Sequence, residues 1–200
     1  MDLNRIPIAL ALAALLPVTI AAVRLATPLD LQPESQLWVA GTSTVRSFRC
    51  QAGTFDAKVG SSAAEAVVAV LAGEKAVSAV EVTVPVDRLD CRNSTMNEHM
   101  RKALKAKEFP TIAFKVASYE LARADEGVDV TLTGTLTLGG VEKPVTVAAR
   151  VKGRDDGQLL VTGTHEVRMT EFDLKPPKLM LGTMRVDEKI KVGFEIALKD

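Results

Sequence analysis

Apolar side chains recur at every second position through much of the second half of this 200-residue chain. Over positions 189–199, Ile190, Val192, Phe194, Ile196 and Leu198 fall on one face, and Lys189, Lys191, Glu195 and Lys199 on the other. Successive side chains of a strand point to opposite faces, so this pattern describes a strand with one dry side. The same alternation places Val128, Val130, Leu132, Leu136 and Leu138 opposite Asp129, Thr131, Thr133, Thr135 and Thr137. It recurs in Val80, Val82, Val84 and Val86, in Ile112, Phe114 and Val116, and in Val145, Val147, Ala149 and Val151. Positions 38–45, 53–59 and 159–166 read as further strands. Gly139-Gly140, Asp155-Asp156-Gly157 and Ala124-Asp125-Glu126-Gly127 punctuate them as hairpin turns. Strands with polar outer faces and hairpin punctuation predict an antiparallel sandwich or barrel.

One helix breaks the pattern. Asn93 is placed to cap a helix running through Met96, Met100 and Leu104 to about position 107, and Pro110 holds Phe109 extended beyond it. Positions 61–73 suit either a helix or a strand, being rich in both Ala and Val.

The apolar content is 47%, yet aromatics make up only 4%. Part of it lies near the N-terminus. Arg5 precedes an uncharged run over positions 6–23 that ends in Ala21 and Ala22, the layout of a secretory signal peptide. An uncleaved membrane anchor is the alternative, which Pro17 opposes. The expected organisation is a signal peptide over 1–22, a polar linker over 23–35 and one domain over 36–200. The expected location is periplasmic or secreted, with no stable membrane span after cleavage. Cys50 and Cys91 are the two cysteines, and in an exported chain an even count suggests a disulfide. It would close a loop of about 40 residues and contribute on the order of 4 kcal/mol.

Lys and Arg number 25, as do Asp and Glu, so the net charge is zero, unlike a nucleic-acid binder. No GxSxG, GxGxxG or P-loop occurs. His99 and His165 lack the spacing of a zinc site, and an enzyme would need them to converge with a carboxylate. No catalytic residue, metal or cofactor is therefore expected. Arg101, Lys102, Lys105 and Lys107 form a basic stretch that reads as a solvated helix face or as a contact for anionic lipid headgroups.

Phe109-Pro110-Thr111-Ile112-Ala113-Phe114 resembles the yPxIxF motif of the YceI-like family, and positions 134–145 (GTLTLGGVEKPV) resemble its GxLTxxGVxkPV hairpin. Met96-Asn97-Glu98-His99-Met100 is similar to its RDxHL helix. Trp38, followed by Ser43, Val45 and Phe48, is similar to its opening strand. Met96 and Asn97 stand where the motif has Arg and Asp, and Thr42 stands where many members have His. The resemblance implies an extended antiparallel lipocalin-like β-barrel of about eight strands with one short α-helix inserted. It implies a pore holding a long-chain apolar lipid of polyisoprenoid or isoprenoid quinone type, and a Cys50–Cys91 bridge tying the early strand to the start of the helix. The expected lining is the apolar strand face: Val82, Val84, Ile112, Phe114, Val130, Leu132, Leu136, Val147, Phe194 and Ile196. Phe48, Phe55, Phe109 and Phe172 are candidates to close the pore ends. A structural or interaction domain of the cell envelope, with the same side chains filling a dry core, is the alternative. A homodimer stays open.

Overall fold

The computed structural model describes residues 28–179 and 183–200. The expected signal peptide over 1–22 lies outside the described residues. The strands are β1 Asp30–Leu31, β2 Gln36–Ser43, β3 Ser47–Ala52, β4 Asp56–Ser61, β5 Val77–Pro85, β6 Leu89–Asp90, β7 Thr111–Ala124, β8 Gly127–Leu138, β9 Val141–Gly153, β10 Leu159–Arg168, β11 Lys178–Leu179 and β12 Met184–Lys199. Two helices, α1 Ala66–Leu71 and α2 Ser94–Ala103, and two 3-10 turns interrupt them.

The strands form one 12-stranded antiparallel sheet that curls on itself in the order β4-β5-β7-β8-β9-β10-β12-β2-β3-β6. The mainly β, lipocalin-like class holds. Among the described residues nine strands of six or more residues carry the barrel, and to these the structure adds three two-residue strands and the short helix α1, which leave no periodic signal in the sequence. Hairpins set the register. Gly139 and Gly140, at φ 58° and 81°, make the tight turn that pairs Leu138 with Val141 and Leu132 with Val147. A bulge between Val116 and Ser118 changes which residues of β7 face inward, so Tyr119 rather than Ser118 sits beside Leu132.

The linker expected over 23–35 is corrected for residues 28–35. The Leu29 amide donates to the Val59 carbonyl at 2.8 Å, and Asp30 and Leu31 pair with Lys199 and Leu198 of β12. Leu29 is 2% exposed. The physical cause is apolar: Leu29 and Leu31 join the core below the sheet, and this outweighs the breaking tendency of Pro28 and Pro33. The segment laces the last strand to the edge strand β4 at one end of the molecule.

That end is closed. Val67 and Val70 of α1 plug it against Val128, Val151, Leu159 and Leu198. The Asp200 carboxylate accepts from the Ala66 and Val67 amides. At the other end α2 rests on a second cluster that includes Leu89, Leu104, Leu138 and Ile190. Asn93 caps α2, its Oδ1 accepting from the Met96 amide at 2.9 Å.

Candidate functional site

Inward-facing positions of a small barrel either fill its interior or line a space. Here they line a space, because most are Val and Leu, too slim to meet across it. The cavity has an upper chamber of about 440 Å³ under α2 and a lower one of about 200 Å³ above α1. Leu37, Val82, Phe114, Leu136, Val167 and Val192 line both and form the waist between them.

All ten expected lining residues face this cavity. Val84 and Ile112 line the upper chamber. Val130, Leu132, Val147, Phe194 and Ile196 line the lower one. Val82, Phe114 and Leu136 stand at the waist. The pairings explain the convergence, since Val82 lies opposite Phe114, Phe114 opposite Leu136, and Leu132 opposite Val147.

Of the four pore-end candidates, Phe48 lines the upper chamber. The other three are corrected. Phe55 is half-buried between the two core clusters. Phe109 lies on the outside, 38% exposed, its ring against Gly140. Phe172 is 2% exposed within a 3-10 turn that packs it into the core.

Both phenylalanines that narrow the interior near glycines lie along the wall. A Cβ at Gly41 would sit 2.6 Å from the Phe48 ring, and one at Gly163 would sit 2.5 Å from the Phe194 ring. Each glycine lies opposite its phenylalanine in the adjoining strand. The missing side chain lets the ring lie flat, which keeps the interior open.

The two chambers differ chemically. In the lower one the polar side chains are Tyr119 and His165. The Tyr119 hydroxyl is satisfied, donating to the Val77 carbonyl at 3.1 Å and accepting from the Val77 amide at 3.0 Å. Burial pulls the His165 imidazole below its ordinary pKa, against the opposing effect of the Glu166 charge. The upper chamber carries Ser43, Arg46, Asn93, Thr95 and His99 among apolar side chains. His99 and His165 thus line different chambers. Among the described residues no three or more metal-ligating side chains come together.

Sequence reasoning missed the helix contribution. Met96, His99, Met100 and Ala103 of α2 line the upper chamber. Their spacing of three and four is the signal that could have identified this face. Cys50 and Cys91 form a disulfide on the chamber wall, and Cys50 is 1% exposed. It ties β3 to the foot of α2. Asn97 completes the joint, its Oδ1 accepting from the Cys91 amide and its Nδ2 donating to Asp90 Oδ1, both at 2.8 Å. An Asp at 97 could not donate to Asp90. The Asn97 contact, followed by the Arg92 amide, holds the Asp90 carboxyl below the usual carboxylate range.

A family model described as a YceI-like domain matches residues 35–198. A UPF0312 protein of Enterobacter sp. strain 638 is 39% identical over 79 residues, and protein YceI of Salmonella newport is 35% identical over 79 residues. Each match covers 38% of this chain and 39% of the relative, so the chain spans about two fifths of the curated relatives it matches. Among solved structures, BcnA of Burkholderia cenocepacia superposes with a TM-score of 0.66 at 18% identity, over 84% of this chain and 99% of that one. A polyisoprenoid binding domain from Saccharophagus degradans superposes with a TM-score of 0.61 at 14% identity, over 88% of this chain and 99% of that one. At such identities the likeness concerns the fold.

Proposed function

The chain belongs to the YceI-like family, and from that premise we propose that it is a non-enzymatic carrier holding a long-chain apolar lipid of polyisoprenoid or isoprenoid quinone type inside its barrel. The observation that carries the reading is the lower chamber, walled almost wholly by Val, Leu, Ile and Phe and sharing six apolar wall residues with the upper one. Each buried CH2 of a guest gains about 0.8 kcal/mol, so a hydrocarbon chain needs no polar contact in that chamber. The polyisoprenoid binding domain of Saccharophagus degradans shares the fold and adds support. The charged start and apolar run at positions 5–23 support an exported protein, periplasmic or secreted, that carries its guest through water.

Organic extraction of protein purified from its native source, followed by mass spectrometry, tests this. A stoichiometric long-chain lipid is expected. Repeatedly empty extracts would leave a structural domain with an unfilled core. Leu132→Glu places a carboxylate in the lower chamber, where desolvation costs several kcal/mol. The variant is expected to melt as a folded protein and to lose the lipid. Full retention of lipid by a folded variant would refute the lining.

A further inference from the structure

The net charge of zero conceals a separation of charge along the barrel. The closed end gathers Glu34, Asp125, Asp155 and Asp156 on its turns, Glu65 at the N-cap of α1 and Asp200 after β12. Several cations there are already engaged: Lys152 pairs with Glu126, Arg154 with Glu34 and Asp156, and Lys75 with Glu120. The cavity opens at the other end, where the exposed Arg46, Asn93 and Thr95 line it beside Pro177 and Met184. Around this mouth stand Arg46, Arg92, Arg101, Lys102, Lys178 and Arg185, all exposed, against Asp90, Glu98 and Asp187. Asp90 is already committed to Asn97 and the Arg92 amide. Among the described residues Arg46 and Lys102 have no ion-pair partner.

The tip of the β2–β3 hairpin is also the most exposed large apolar point of the described molecule. Val45 is 65% exposed, and its neighbour Arg46 lines the cavity mouth. A solvated loop gains nothing from a bare Val, whereas a loop that enters a lipid headgroup layer gains its burial. The other strongly exposed aliphatic, Val68 at 61%, sits on α1 at the acidic end, which an anionic surface repels.

We propose that the mouth of the barrel docks on a bilayer bearing anionic headgroups, with Val45 entering the headgroup layer while Arg46, Arg101 and Lys102 meet lipid phosphates. In this pose the upper chamber faces the bilayer, and a chain passing between the two need not cross open water. Helix α2 offers Met96, His99, Met100 and Ala103 to the cavity and leaves Arg101 and Lys102 exposed to the surface. The docked face is thus continuous with the wall of the cavity.

The test is co-sedimentation of the full chain with vesicles of phosphatidylcholine alone and of phosphatidylcholine with phosphatidylglycerol at about one part in three. The quantity read is the ratio of binding to the two vesicle types, since an apolar leader would raise both equally. At low salt the anionic vesicles are expected to bind at least ~10-fold more protein, and the ratio should collapse in ~0.5 M salt, where the screening length falls below about 5 Å. Each interfacial cation removed should lower binding about fivefold. Arg46→Glu/Lys102→Glu should therefore lose most of the ratio, and Val45→Asp should weaken binding while the melting temperature stays put. Lys199→Glu, at the closed end, should bind as the parent. Equal binding to both vesicle types overturns the proposal, as does a loss in Lys199→Glu as large as in Arg46→Glu/Lys102→Glu. Docking is scored whatever fills the cavity, so its failure leaves the lipid reading standing.

Discussion

The two glycines beneath Phe48 and Phe194 make the width of the cavity adjustable by one substitution. Gly41→Val is the cleaner case, because every close neighbour of its new Cβ belongs to a side chain. The Cβ would lie 2.6, 3.0 and 3.4 Å from Phe48 Cζ, Cε1 and Cε2. Comfortable carbon contacts begin near 3.5 Å, so the ring must move by about an ångström or more. The open direction is the upper chamber, which Phe48 already lines. Overpacking of a filled core costs 1–3 kcal/mol, and a ring swinging into a void falls at the low end, about 1 kcal/mol. The better strand propensity of Val offsets part of that. The melting temperature should therefore change by no more than about 4 °C. Binding should suffer far more. If the ring displaces about four methylene-sized parts of the guest, the loss is ~3 kcal/mol, or about 150-fold in affinity. Calorimetric titration of delipidated protein with a long-chain polyprenol measures it directly. Gly41→Val/Phe48→Ala removes the ring and should restore most of the affinity, a coupling that a double-mutant cycle isolates. Unchanged affinity in Gly41→Val, or failure of the double variant to recover while it stays folded, would refute the reasoning.

Two other outcomes follow from the same walls. The Cys50–Cys91 bridge closes a loop with a sequence separation of 41, so Cys50→Ala/Cys91→Ala should lose about 4 kcal/mol on the chain-entropy model. The melting temperature should drop by about 10 °C, and a drop within ~2 °C would contradict that account. The pKa of His165 is lowered in the folded chain from its ordinary 6.5, so between those two values the unfolded chain holds more protons than the folded one. Its contribution to stability is therefore complete above pH ~6.5 and is lost as pH falls toward the folded value. Thermal melts from pH ~7.5 to ~5.5 should decline more steeply for the parent than for His165→Phe, and identical slopes would remove His165 as the cause.

The strand faces were legible because burial on one side writes itself into alternation. Ile190 through Leu198, Val128 through Leu138, and Val145 through Val151 all carry their inward residues at the expected parity. The start of the helix was equally legible from Asn93, but α2 ends at Ala103 rather than near position 107, where Lys105 turns left-handed at φ 53° well before Pro110. What escaped depends on distant partners. Leu29 and Leu31 look like linker residues until Val59 and Leu198 arrive beside them. The bulge at Val116 alters the inward set of β7 without any breaker in the sequence. Phe172 carries the same apolar signature as Phe48, and only the left-handed Asp173 that ends its turn, at φ 52°, marks a backbone folding back on the core. The cavity itself lay beyond periodicity, because the same Val and Leu would equally fill a dry interior.

The placement of β12 bears on how the molecule is assembled. This 16-residue strand joins β10 to β2, and β1 and β11 also pair with it. The ladder linking β2, β3 and β6 to the other long strands runs through residues 184–199 alone. A ribosome delivers those residues after the rest of the domain. Until then β2 and β10 each present an unpaired rim, and the contacts of β2 with β12 span most of the domain. Topologies dominated by such distant pairings fold slowly and expose sticky rims while they wait. Completion of the sheet thus waits for β12, and a chain halted before residue 184 would be two open ribbons without the strand that unites them.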